Sequence, residues 1–192
     1  YNPAGVSDSN RAVCCGGDNP DYNICDYITI QSTGNSFDFG DLVTASETNC
    51  GHSSSTRGII GMDGNTINYI TIATTGNAAD FGDLADARSQ LMGCSNADRG
   101  LISGGGEAPG SGVSTIEFVT IASLGNTKDF GDMNYTNNRD GASGASATRG
   151  IVGAGGDPFA SPYAKTDIIV ETPNGLDAQK KDIAWIRRRL KK

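Results

Sequence analysis

Internal repetition limits this chain more than anything else in it: a unit that recurs folds the same way each time and buries its apolar face on its own neighbours. Asp38-Phe39-Gly40-Asp41-Leu42 returns as Asp80-Phe81-Gly82-Asp83-Leu84 and Asp129-Phe130-Gly131-Asp132-Met133. Tyr27-Ile28-Thr29-Ile30 returns as Tyr69-Ile70-Thr71-Ile72 and Phe118-Val119-Thr120-Ile121, with a weaker copy at Asp167-Ile168-Ile169-Val170. A third motif carries an arginine, in Asn10-Arg11-Ala12, Thr56-Arg57-Gly58, Asp98-Arg99-Gly100 and Thr148-Arg149-Gly150, and these arginines are 46, 42 and 50 residues apart.

Each unit of about 45 residues reads as four short strands. The first is a segment of small residues, such as Ala4-Gly5-Val6-Ser7, Cys50-Gly51-His52-Ser53, Gly93-Cys94-Ser95 or Gly141-Ala142-Ser143. The second follows the arginine, and the third is the Tyr-Ile-Thr-Ile segment, whose β-branched and aromatic residues suit a half-buried pleated surface. The fourth is centred on Phe-Gly-Asp, with Gly34-Asn35, Gly76-Asn77 and Gly125-Asn126 turning the chain before it. From the last Ile of the third strand to the second Asp of Phe-Gly-Asp is 11 residues in all three copies (30 to 41, 72 to 83, 121 to 132), so that hairpin is fixed in length. Variation falls between the second and third strands, which predicts variable loops over 15–26, 61–68, 104–117 and 153–167. The units span about 4–45, 46–90, 91–139 and 140–172, and the last lacks its fourth strand, because Pro173-Asn174-Gly175 stands where Phe-Gly-Asp is due.

Composition agrees with a turn-rich β fold: 27 glycines in 192 residues is about twice the usual share. No apolar run approaches the roughly 18 residues of a membrane-spanning helix. Tyr1 opens no signal-peptide pattern, and a start at Tyr reads as a processed or incomplete chain. The net charge of −7 conceals a split: residues 1–176 hold 8 Lys/Arg against 20 Asp/Glu, whereas 177–192 hold 7 against 2. An acidic body repels phosphates, so nucleic-acid binding through residues 1–175, the β-domain, is not expected. The basic segment 176–192 reads as an amphipathic helix, with Asp177 at its start and cations toward its C-terminal end, where they complement the helix dipole. Ile183, Ile186 and Leu190 form its stripe, with Trp185 beside them and Arg187, Arg188 and Arg189 adjoining, which makes it a candidate docking helix for another protein.

The order of these motifs is similar to that of kelch-repeat propellers. Gly104-Gly105-Gly106, Phe118, Phe130 and Arg139 follow one another as the glycine pair, aromatic strand, outer strand and arginine of that family do, and so do Tyr69, Phe81 and Arg88, with Phe in place of the usual Trp. The Tyr-Ile-Thr-Ile, Gly-Asn-x-x-Asp-Phe-Gly-Asp-Leu and Thr-Arg-Gly repeats more closely resemble those of virion structural proteins of marine tailed bacteriophages, cyanophages included. The resemblance covers residues 4–172. It implies an all-β, kelch-like β-propeller array of four blade-like units, and a structural role on a virion with no enzymatic activity and no cofactor. Its partners are then other virion proteins or copies of itself. Either the four units form a compact ring, or an incomplete ring has its edges covered by another subunit.

Several groups invite chemistry. The Asp pairs 38/41, 80/83 and 129/132 are hard oxygen ligands in type but match no calcium loop, and the expectation is that one Asp of each caps a turn while the other pairs with Arg57, Arg99 or Arg149. His52 is the lone histidine, too few imidazoles for a copper centre, and is expected to pack on a strand, half-buried. Adjacent Cys14 and Cys15 on a strand point to opposite faces, which predicts one exposed and one buried thiol. Tyr22, Phe159 and Tyr163 in the variable loops, flanked by Asp and Asn residues, give the alternative reading, a host-receptor or glycan-binding module, with a secreted enzyme as the remaining class.

Overall fold

The computed structural model describes residues 3–18, 20–108, 111–137, 141–153 and 166–170. They build four antiparallel sheets in chain order. Sheet one is the meander β1 (Ala4–Ser7), β2 (Arg11–Cys15), β3 (Ile24–Thr29) and β4 (Phe37–Asp41). Sheet two repeats it with β5 (Thr48–Ser53), β6 (Arg57–Met62), β7 (Gly64–Thr71) and β8 (Ala79–Arg88). Sheet three has β9 (Met92–Ser95), β10 (Arg99–Ser103), β11 (Gly106–Ala108), β12 (Ser111–Thr120) and β13 (Lys128–Asn137). Sheet four has β14 (Ala142–Ala145), β15 (Arg149–Gly153) and β16 (Thr166–Val170). The four units read from the sequence are therefore four sheets.

One turn joins the first two strands in every unit, made by a small polar residue three positions before the arginine. Asp8 Oδ1 accepts the N–H groups of Asn10 and Arg11, both at 2.7 Å, and Asn96 Oδ1 accepts those of Asp98 and Arg99 at 2.9 and 2.8 Å. Ser54 and Ser146 hydroxyls do the same for Arg57 and Arg149 at 3.0 and 3.2 Å. Such side chains mimic a backbone turn and leave no amide orphaned. The two N–H groups also hold the Asp8 carboxyl below its usual range.

Phe-Gly-Asp proves to be a β-bulge. Cys25 pairs with Gly40 and Asp26 with Asp38, so Phe39 is the extra residue; Phe81 and Phe130 are inserted the same way opposite Ile67/Asn68 and Ile116/Glu117. The first Asp caps the bulge as expected, its Oδ1 accepting from the glycine N–H at 3.1 Å for Asp38 and 3.0 Å for Asp129. A bulge must keep its position relative to the hairpin, which accounts for the fixed 11-residue spacing.

The variable connections differ from expectation. In unit two, 61–68 is no loop: β6 and β7 run on to a tight reversal at Asp63 and Gly64, the latter at φ +102°. In unit three the extra length forms a second ladder, β11 on β12, beyond a kink at Gly104 and Gly105. In unit two, pairing of Met62 with β5 and of Gly64 and Thr66 with β8 gives this segment its partners and leaves no loop.

The first strands lie side by side, β1 on β5, β5 on β9 and β9 on β14, so the sheets stack face to face in sequence order. Among the described residues no comparable contact joins β14 back to β1, and no closed ring is formed. Three buried clusters fill the spaces between consecutive sheets. The segment 176–192, expected as a helix, lies outside the described residues.

Candidate functional site

The chemistry of this molecule lies in how one unit grips the next. Each sheet has a forward face, toward the following unit, and a rear face, toward the preceding one. Val13, Cys15, Cys25 and Phe39 on the forward face of unit one pack against Ile60, Met62, Ile70 and Ile72 on the rear of unit two. Ile59, Ile67, Phe81 and Leu84 of unit two likewise meet Ile102, Val119 and Ile121 of unit three.

Polar groups fix the register. The Arg11 guanidinium lies 4.2 Å from the Tyr27 ring centroid, and its Nη1 donates to the Ile72 carbonyl of the next unit at 2.9 Å. Arg57 repeats this on Tyr69 at 4.7 Å and on the Ile121 carbonyl at 2.7 Å. Arg99 lies 4.6 Å over Phe118. The expected pairing of Arg57 and Arg99 with an Asp of the repeat is thereby corrected: both guanidinium groups take an aromatic face, and that of Arg57 a carbonyl as well, because arginine and ring stand diagonally on adjacent strands. The aromatic in turn meets the bulge Phe edge-on, in Tyr69–Phe81 and Phe118–Phe130, both at 6.2 Å.

The bulge itself receives the Gly-Asn turn of the following unit. Gly76 N–H donates to the Phe39 carbonyl at 2.7 Å and Gly125 N–H to the Phe81 carbonyl at 2.9 Å. Asn77 and Asn126 Oδ1 accept from the Asp41 and Asp83 N–H at 3.1 and 3.2 Å. A Cβ on Gly40 would lie 2.6 Å from the Gly76 carbonyl, and one on Gly82 2.5 Å from that of Gly125, so glycine is required there for space as well as for its positive φ. Gly131 has a similar φ, +137°, but nothing within 4 Å of its Cβ position among the described residues.

A third polar contact was not legible beforehand. Asn68 Oδ1 on β7 accepts the Val43 N–H at 3.0 Å, and Glu117 Oε1 on β12 accepts the Ala85 N–H at 3.1 Å. Glu117 also forms a buried ion pair with Arg88, whose Nη1 donates to the Gly104 carbonyl at 3.0 Å. These residues stand at one repeat position, occupied by Asp26 in unit one, and alignment of the three strands would have marked it as a polar site on an apolar face.

Among the described residues, the rear face of unit one and the forward face of unit four lack this cover. Ile28 and Ile30, at the positions of Ile70/Ile72 and Val119/Ile121, are 45% and 50% exposed, and Asp26 is exposed with them. Ala12, Cys14, Asp26 and Ile28 help line an open concavity of about 490 Å³ on this rear face. At the other end Ile151 is 46% exposed, although Val13, Ile59 and Leu101 at its position are buried, and all of β14 is exposed.

His52 is wholly buried, deeper than expected, with Val6 and Cys94 at its position in the neighbouring units. Its ring fills the space left by Gly93 and Gly100. Nε2 lies 3.5 Å from Cys50 Sγ, but burial pushes the thiol up to about 12 and the imidazole down to about 4, so the pair is neutral packing, not a nucleophile and its base. Cys14 is exposed and Cys15 buried, as strand alternation predicts. Tyr22 is 45% exposed on the connection from β2 to β3. Phe159, Tyr163 and the residues Ile183, Trp185, Ile186, Arg187, Arg188, Arg189 and Leu190 lie outside the described residues. No protein-family model and no curated protein matches the chain.

Proposed function

We propose that this chain is a non-enzymatic structural protein of a tailed-phage particle, its four sheets kelch-like blades, and that it works by protein–protein assembly on the tail, fibre or capsid surface. The observation that carries the reading is the contrast between covered and open ends. The interface repeated between successive units is not made at the rear of unit one by any described residue, leaving an apolar face with its polar register groups in place. Exposed apolar faces of this kind mark contact with another protein. The motif resemblance supplies the virion. The complete burial of His52, the lone histidine, beside Cys50 supports a role without catalysis.

Mass spectrometry of purified virions of a phage encoding the chain tests this. The chain is expected among the particle proteins at stoichiometric abundance; its absence from intact particles would overturn the reading. The second reading, a glycan- or receptor-binding module on the same particle, is favoured by exposed Tyr22, since an aromatic face beside hydrogen-bonding groups suits a sugar ring. Loss of host adsorption on Tyr22→Ala with normal incorporation into particles would select it.

A further inference from the structure

The open ends match each other in size. At the interfaces between units one and two and between units two and three, a forward side chain of the first strand sits in a cup floored by a glycine of the next unit's second strand. Val6 lies where a Cβ on Gly58 would come within 2.6 Å, and His52 where one on Gly100 would come within 2.9 Å. Unit one breaks the pattern on its rear face, because Ala12 stands at the position of Gly58 and Gly100. A methyl group therefore fills the cup, and any side chain of Val or His size would clash with it. Unit four breaks the pattern in the opposite sense on its forward face: Gly144 stands at the position of Val6, His52 and Cys94, with nothing within 4 Å of its Cβ position among the described residues. The shallow cup and the missing knob belong to the same chain.

We propose that the rear face of unit one binds the forward face of unit four of a second copy of this chain, head to tail. In this contact Ile28 and Ile30 are covered as Ile70 and Ile72 are, and Ile151 is covered as Ile59 is. Continuity with the internal interface and the Ala12/Gly144 size match single out this occupant. Because each copy keeps one free end, the association is heterologous and continues past the dimer into a ring or filament. The inference rests on the assembly reading given above and deepens it by naming the partner. It depends on no property of a phage.

Sedimentation velocity on the purified full chain tests it. The wild-type protein is expected to form a concentration-dependent series of species larger than a dimer. Ile28→Asp alone and Ile151→Asp alone each place a charge in the interface and are expected to weaken association at least about 100-fold, leaving monomers. Mixed, they form a 1:1 dimer and stop, because each retains one intact end. Gly144→Val is expected to weaken association about tenfold by clashing with Ala12, and adding Ala12→Gly to the same chain restores it. A wild-type chain that stays monomeric at high micromolar concentration overturns the proposal, as closure of the chain on itself would do. Dimers that survive Ile151→Asp but not Ile28→Asp also overturn it, since they mean two rear faces meeting. Virion mass spectrometry separates the two claims: a monomer found in particles refutes this inference alone, and an oligomer absent from them refutes the virion reading alone.

Discussion

Tyr27-Ile28-Thr29-Ile30 and Tyr69-Ile70-Thr71-Ile72 are the same four residues on the same strand of adjacent units. Their backbones are held alike, Ile30 N–H donating to the Asn10 carbonyl at 2.9 Å and Ile72 N–H to that of Thr56 at 3.0 Å. Yet Ile28 and Ile30 are half exposed, whereas Ile70 and Ile72 are 2% and 0% exposed. Nothing local separates them. The difference is the forward face of unit one, which covers the second pair, whereas nothing among the described residues covers the first. Folding information in this chain is thus of two kinds: each sheet is specified within its own unit, and each buried face is completed by the next.

The largest effect that sharpens the contrast is expected at the bulge glycines. Gly82→Ala places a methyl against the Gly125 carbonyl at φ +147°, and is expected to cost roughly 3–5 kcal/mol. Gly131→Ala, at a similar φ, meets none of the described residues and is expected to cost roughly 1–2 kcal/mol of backbone strain alone. Urea unfolding of the two variants measures the gap, and equal losses would mean that the Gly-Asn turn does not press on the bulge.

A pH effect follows from His52, which only the cover of unit three buries. Its imidazole is depressed from 6.5 to about 4, so between those values the unfolded chain takes up a proton that the folded chain refuses. Stability is full above pH 6.5 and falls as the pH drops toward 4, by about 2 kcal/mol between pH 7 and 5. Denaturation curves at the two pH values should show this loss, and His52→Val, which installs the residue of unit one, should remove it. A smaller effect is expected at the arginine clamp. Arg57→Ala gives up the stack on Tyr69 and the bond to the Ile121 carbonyl, for about 1–2 kcal/mol, and Arg57→Lys recovers only part because it loses the planar stack.

Much of this was legible in the sequence. The repeat located the four sheets, strand alternation sorted Cys14 from Cys15, and the constant spacing marked the hairpin that carries the bulge. What escaped depends on contacts between units. Arg57 reads as a partner for an acidic residue when only charge is considered; its diagonal placement beside Tyr69 emerges once β6 and β7 are in register. The 61–68 segment reads as a loop from its length, and becomes strand because Met62 pairs with Thr48 on β5 while Gly64 and Thr66 pair with Arg88 and Asp83 on β8. Arg88 and Glu117 are 29 residues apart and belong to different units, so no local pattern joins them. The exposure of Ile28 is invisible in its own motif, which is identical to a buried one.

The most direct test is the stability of Ile28→Ala beside Ile70→Ala, measured by chemical denaturation at a protein concentration below that of self-association. Truncating the buried Ile70 is expected to cost about 2–5 kcal/mol, and truncating the uncovered Ile28 about 1 kcal/mol or less. Comparable losses at the two positions would contradict the account, because they would show that the rear face of unit one is already covered within a single chain.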